Sequence, residues 1–296
     1  MIFIVVATFL VCWLIGSLVS VPPKLIWFAE KYVLNFALPA VIIAKMTTVD
    51  VTSELLIPVL VAWGSMMGCA VAVYCVGRLR QWSRDTVGAL LLVAVLGNTS
   101  FLGLGMVSGL LGDDHLSAAI AYDQLGTFLA LAIYGSYISG RFGTGDSGGR
   151  AILHRLSRFG PFLALLTVIP LRVIGLDADI VTVLNDIGYT VAPVAMGALG
   201  LRFTLRVDRA VIGPALTGLF IKMVAVPGIV ILVAVVFAST GDLMWSTSIL
   251  ESAAPPMVTA GVVAIAAGFD EKLVAFVVGV GTLAAFAWLP FVSLAL

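Results

Sequence analysis

The sequence predicts an all-α polytopic membrane protein of ten transmembrane helices, built as a 5+5 inverted repeat with broken, crossing helices 4 and 9. Three observations predict it. Of 296 residues, 61% are hydrophobic and 11% charged, with a mean hydropathy of +1.16, a balance suited to lipid as solvent. Thirteen of the sixteen Lys and Arg residues fall in alternate links between apolar stretches. Two of those stretches are interrupted in mid-span, at corresponding places in the two halves of the chain, and such pairs point to a transporter binding site.

Span 1 covers about Ile2 to Val19. No basic n-region precedes it, so it is kept as a span and not read as a cleaved signal peptide. A link with Lys24 and Lys31 leads to span 2, about Tyr32 to Met46 with an earlier start left open, and with Pro39 inside. Span 3 runs from about Leu55 to Val76, and Arg78, Arg80 and Arg84 follow. Span 4, Thr86 to Leu111, is the first broken one. The link Gly112-Asp113-Asp114-His115 leads to span 5, about Leu116 to Gly140. The Gly- and Ser-containing stretch 141–158 then reads as a flexible cytoplasmic linker between a first repeat, 1–140, and a second, 159–296.

The second half repeats the layout. Span 6 is about Phe159 to Leu176. Span 7 is about Ile180 to Leu201, with Pro193 inside. Arg202, Arg206 and Arg209 precede span 8, about Ala210 to Ala238. Span 9, about Thr247 to Gly268, is the second broken one, and span 10 runs from Leu273 to Leu296. Pro39 and Pro193 are 154 positions apart, and Asn98 and Pro255 are 157 apart. Five spans per half turn the second repeat upside down relative to the first. Lys24, Lys31, Arg78, Arg80, Arg84, Arg141, Arg150, Arg155, Arg158, Arg202, Arg206, Arg209 and Lys272 share one side. By the positive-inside rule, both termini lie outside and the central loop in the cytoplasm of the cell membrane.

The breaks carry the chemistry. Asn98, Thr99 and Ser100 prefer caps and turns to helix interiors, and unwound backbone at membrane depth is tolerated only where it is buried in protein or lines a cavity. The first break therefore splits span 4 into two half-helices. In span 9, Pro255 and Pro256 interrupt the ladder and suit the first turn of a new half-helix. Two half-helix N-ends offer partial positive charge and N–H donors, which favour an anion such as a carboxylate. Lys222, near the middle of span 8, has two readings: a counter-ion for substrate, or a group that neutralises helix C-ends at the crossing. An ammonium at that depth costs roughly 2.5–3.5 kcal/mol on insertion scales. Asp123, with Tyr122 and Gln124, is expected in proton or ion coupling, in pairing with Lys222, in positioning substrate, or in a satisfied bundle contact. Glu251 is placed toward the outside, as a mouth or capping group that also joins the coupling candidates. Asp186 and Asn35 read as helix-packing hydrogen bonds.

Several classes are set aside. Tyr122-Asp123 followed by Gly143-Thr144-Gly145-Asp146 imitates an intramembrane aspartyl protease pair, but Asp146 falls in the basic loop. No HExxH, P-loop or nucleophile motif is present, so no enzyme is expected. Cys12, Cys69 and Cys75 read as core residues and free thiols, and His115 and His154 as loop residues. Neither set has metal-ligand spacing, so no metal site and no cofactor is expected.

The segments Asn35-Phe36-Ala37-Leu38-Pro39-Ala40 and Gly97-Asn98-Thr99-Ser100-Phe101-Leu102-Gly103 resemble the N-x-x-L-P-A and G-N-T-x-F-L-G motifs of the auxin efflux carrier family. Tyr122-Asp123-Gln124, Pro193 with Gly200-Leu201, Lys222 with Pro227, and Ala253 to Pro256 resemble its later spans in order. The family includes plant PIN proteins and bacterial permeases for malate or malonate. Glu251 ahead of the prolines and a short central loop depart from its pattern. The resemblance implies a scaffold of spans 1, 2, 6 and 7, a mobile core of the other six, and elevator-like transport of a small organic anion. From the residues themselves, substrate contacts are expected at Asn98, Thr99, Ser100, Lys222, Pro255 and Pro256, and proton or ion coupling at Asp123 and Glu251. The alternatives are a sodium-coupled, bile-acid-symporter-like carrier or a cation/proton transporter of the same architecture, and a sensor that binds without flux. The expected partners are the organic anion, the bilayer, a proton or sodium ion and a second copy as a homodimer, with no nucleic acid.

Overall fold

The computed structural model describes residues 2–48, 53–143, 157, 160–202, 209–237 and 241–296. Most of the expected 141–158 linker, including Asp146, Arg150, His154, Arg155 and Arg158, lies outside them, as does Arg206. The described chain is helical, with one isolated antiparallel bridge, Gly97 to Pro256.

In chain order the helices are α1 (Ile2–Leu18), α2 (Pro23–Tyr32), α3 (Leu38–Thr48), α4 (Leu56–Leu79), α5 (Arg84–Val93), α6 (Leu104–Leu110), α7 (Leu116–Ala121), α8 (Leu129–Phe142), α9 (Gly160–Ile174), α10 (Ala178–Gly188), α11 (Val191–Arg202), α12 (Arg209–Phe220), α13 (Val226–Phe237), α14 (Leu243–Ser252), α15 (Val258–Ala266) and α16 (Glu271–Ser293). Short π-helices at Val33–Ala37, Tyr122–Phe128 and Ile221–Ala225 join α2 to α3, α7 to α8 and α12 to α13 without ending the helix, and another, Thr99–Gly103, precedes α6. Among the described residues, four continuous helices are long and apolar enough to cross a membrane: Ser53–Leu79, Asp113–Phe142, Arg209–Phe237 and Glu271–Ser293. They are the expected spans 3, 5, 8 and 10.

Local chemistry explains the starts. Ser83, Asp177, Asp242 and Asp270 each cap a helix by accepting from backbone N–H groups one turn in. One boundary settles a start that was left open, and another differs from expectation. The second helix begins at Pro23, because the Pro-Lys link is itself helical and proline suits a first turn. Span 9 begins at Leu243, not near Thr247, because Asp242 accepts from Met244 and Trp245 N–H and starts the helix early. Span 7 is also interrupted at Tyr189-Thr190, just ahead of Pro193.

Packing follows small residues, as in membrane interiors. α1 lies on α11, where a side chain at Gly200 would meet the Phe9 carbonyl at 2.5 Å, and one at Gly16 the Leu201 carbonyl at 2.7 Å. α9 lies on α3, so the first and sixth spans each pack on a span of the other half. Links also gather at two ends. Arg84 donates to the Arg141 carbonyl, and Asp270 N–H to Asp85. At the other end Arg172 donates to the Met46 carbonyl at 2.8 Å, and His115 bonds Thr247 at 2.8 Å. Each group joins links that the basic-residue pattern puts on one side. The cysteines are free, as expected, but Cys75 is exposed on α4 and not in the core.

Candidate functional site at the helix crossing

After α5 ends at Val93 the chain unwinds through residues 94–98, and after α14 ends at Ser252 it unwinds through 253–257. The two unwound segments meet. Asn98 N–H donates to the Pro255 carbonyl at 2.6 Å, and Met257 N–H to the Leu96 carbonyl at 2.8 Å. In this bridge the bonds flank the Gly97–Pro256 pair, so Pro256 needs no N–H. The arrangement satisfies backbone groups that lipid could not. It also corrects one expectation: Pro255 and Pro256 do not open a half-helix but form the extended link, and α15 starts at Val258 with Met257 at its N-cap. A side chain at Gly281 of α16 would meet Pro256 Cδ at 2.5 Å, so the last helix packs directly behind the crossing.

Around the bridge the structure brings together Asn98, Thr99, Ser100, Asp123, Lys222 and Glu251, all buried. Asn98 stands at the N-cap of the Thr99–Gly103 π-helix, yet its side chain makes no cap bond. Its Nδ2, on a residue 1% exposed, has no partner. Thr99 and Ser100 do not cap either. Thr99 Oγ1 donates to Asp123 Oδ1 at 2.5 Å, and Ser100 Oγ reaches both carboxylate oxygens at 2.6 Å. Gln124 Nε2 adds a bond to Asp123 Oδ2 at 2.6 Å. Asp123 sits on the π-helix of span 5, whose widened turn is a frequent companion of function.

Lys222 lies on the π-helix of span 8 and is 3% exposed. Its Nζ donates to the Ser252 carbonyl at 2.8 Å, where α14 ends, and a side chain at Gly97 would lie 3.2 Å from it. Of the two readings of Lys222, this bond supplies the one at a helix C-end. The expected Asp123–Lys222 pair is not formed: each has other partners.

Glu251 differs most from expectation. It is 0% exposed, two residues before the break, and not at a mouth. The misplacement follows from the early start of α14, which puts Glu251 near its inner end. Neither Oε1 nor Oε2 has a hydrogen-bond partner. Its carboxyl lies against Gly103, where a Cβ would collide with Oε2. Asp123, Tyr122 and Lys222 lie within electrostatic range. Sequence reasoning also missed Cys69, whose thiol donates to the Ala94 carbonyl at 3.4 Å, and Thr282, buried with an unpartnered hydroxyl. Nothing in the sequence distinguished these two from ordinary membrane-core residues. Asp186 and Asn35 are exposed and away from the crossing. Tyr122 bonds Ser65 at 3.1 Å. Among the described residues no group of three or more His, Cys, Asp and Glu side chains converges as metal ligands would.

Residues 1–147 match the family model described as membrane transport protein. The chain is 28% identical over 273 residues to a protein named uncharacterized transporter of Methanothermobacter thermautotrophicus, covering 90% of this chain and 88% of that one. It is 34% identical over 122 residues to an uncharacterized transporter of Methanocaldococcus jannaschii, covering 40% of this chain and 39% of that one. The motifs of spans 2 and 4 fall within the matched family region, and the longer similarity carries the likeness through the second half. The chain is an integral membrane protein whose first 147 residues are similar to this membrane transport protein family, in keeping with the auxin efflux carriers that its motifs resemble.

Proposed function

We propose that the chain is a secondary transporter that carries a small organic anion, a carboxylate, by elevator-like alternating access, with the crossing of spans 4 and 9 as its binding site. The observation that carries this reading is Asn98 Nδ2: a buried donor without a partner, beside the Gly97–Pro256 bridge from which two half-helices depart. A buried donor left unbonded costs about 1–3 kcal/mol, and an anionic oxygen would relieve it. Thr99, Ser100, Pro255 and Pro256 shape the same place, and Lys222 brings positive charge to it. The paired packing of α1 on α11 and α9 on α3, with the meeting of the two breaks, supports a 5+5 inverted repeat and a scaffold of spans 1, 2, 6 and 7. The placement of basic residues supports a cytoplasmic central loop and outer termini.

The test is binding of a carboxylate and its amide to wild type, Asn98→Ala and Lys222→Gln, after a thermal-shift screen of small mono- and dicarboxylates. A hydrogen bond to a charged group is worth about 1.5–3 kcal/mol, roughly 10- to 150-fold in affinity. Asn98→Ala should lose that much while staying folded. Lys222→Gln should weaken the carboxylate more than the amide. Wild-type binding by Asn98→Ala would move the site elsewhere. Equal weakening of both ligands in Lys222→Gln would leave Lys222 only its bond to Ser252. A second reading, a sodium-coupled or cation/proton carrier of the same architecture, is favoured by the bare oxygens of Glu251. Sodium dependence of uptake separates it.

A further inference from the structure

Two carboxylates and one ammonium are buried at the crossing, and the carboxylates are treated unequally. Asp123 is held by Thr99, Ser100 and Gln124. Glu251 is equally inaccessible and has no donor on either oxygen. A buried carboxylate without hydrogen bonds is among the costliest groups a protein can hold. Nor is there room to improve its surroundings on one side, because Gly103 lies so close that a Cβ there would collide with the carboxyl. Lys222, the cation within range, spends a donor on the Ser252 carbonyl and not on Glu251. Counting formal charges, the cluster is net negative, which opposes an anion.

We propose, resting on the anion-transport reading above, that Glu251 is the coupling site for a proton that travels with the anion. The proton comes from water on the loading side, binds one carboxylate oxygen and returns to water on the unloading side. No bond in the transported anion changes. With Glu251 neutral, Asp123 and Lys222 balance, and the half-helix N-ends and Asn98 face an anion without an opposing charge. With Glu251 ionised, the anion and the carboxylate repel each other, so the two leave together. The ionisable groups facing Glu251 are Asp123 and Tyr122 from span 5 and Lys222 from span 8, with Cys69 of α4 acting on Lys222. His115 touches the same half-helix nearer its start, at Thr247. α6, α7 and α13 bring no ionisable side chain, and Glu271 and Lys272 of α16 are exposed at its far start. Sodium in place of the proton would need several converging oxygens, and its effect is measured in the same experiment.

The experiment uses the full chain, purified and in vesicles, as wild type, Glu251→Gln and Glu251→Asp. Uptake of radiolabelled malonate is measured with and without an inward proton gradient, and with and without sodium. Infrared titration of the purified protein follows the band of a buried carboxylic acid. Wild type and Glu251→Asp should be stimulated several-fold by the gradient. Glu251→Gln, whatever its basal rate, should show a ratio near one and lack the infrared band. Stimulation that survives in Glu251→Gln overturns the assignment, as does stimulation of wild type by sodium but not protons. Failure to carry malonate or any other carboxylate would sink the anion-transport reading instead. The infrared titration then still decides on Glu251, and the absence of a Glu251-dependent band overturns the proton site.

Discussion

The break in span 4 and the break in span 9 meet at a single backbone bridge but handle their polar groups in opposite ways. In span 4, Thr99 and Ser100 turn their hydroxyls away from the backbone and onto Asp123, and Gln124 completes the shell. In span 9, prolines set the path of the chain, and the nearby acid, Glu251, is left bare. The carbonyls at the ends of the first half-helices of the two spans are treated differently too. Cys69 reaches Ala94 after α5 with a weak thiol donor, and Lys222 reaches Ser252 at the end of α14 with a charged one. The contrast teaches which groups hold the crossing and which are available. A saturated acid is a structural tie; an unsaturated one is where a proton or ligand changes the energy.

The largest effect should come from breaking the saturated side. Asp123→Asn replaces an acceptor-only carboxylate with an amide whose Nδ2 would face donors from Ser100 or Gln124. Each charge-assisted bond lost is worth about 1.5–3 kcal/mol, and several are lost together. The purified variant should melt well below wild type and lose exchange and gradient-driven uptake alike. A variant that melts like wild type and loses only the gradient-driven mode would transfer the coupling role from Glu251 to Asp123.

Much of this was legible in the sequence. Apolar length located the four continuous spans 3, 5, 8 and 10, because lipid demands that length. The Asn98-Thr99-Ser100 and Pro255-Pro256 interruptions located the breaks, because those residues suit unwound backbone. What stayed hidden depended on tertiary contact. Asp242 capping set the start of α14, and with it the depth of Glu251. The partners of Thr99 and Ser100 were on another span, so their hydroxyls read as caps when they serve Asp123. The role of Cys69 was invisible, since a lone Cys in an apolar helix has the same appearance whether or not a broken helix ends beside it.

A smaller effect should come from crowding the bare side. Gly103→Ala puts a methyl group where the Glu251 carboxyl lies. Overpacking of this kind costs typically 1–3 kcal/mol. The double variant Gly103→Ala with Glu251→Ala should recover most of that loss, because the second change vacates the space. Melting of the four proteins in the cycle measures the coupling directly. Additive losses would mean that Gly103 and Glu251 do not touch in the folded protein, and the bare environment of Glu251 would need another description.

The smallest effect is expected at Cys69, and it sharpens the contrast between the two helix ends. A thiol 3.4 Å from the Ala94 carbonyl is a weak donor, and the second-order bond it makes is worth a fraction of a neutral hydrogen bond. Cys69→Ala should therefore cost about 1 kcal/mol, mostly from the space left by sulfur in a buried position. The carbonyl it abandons is at the end of α5, where the chain has already begun to unwind, so an available replacement donor would be expected to recover the loss. Cys69→Ser provides one: its hydroxyl is shorter but a stronger donor, and it should melt closer to wild type than the alanine variant does. Neither change alters charge at the crossing, so the ratio of carboxylate to amide affinity should stay at the wild-type value in both, unlike in Lys222→Gln. If Cys69→Ala instead destabilises as strongly as Asp123→Asn, the thiol is a principal tie of the first break, and the division between a well-tied half and a bare half must be redrawn around Cys69.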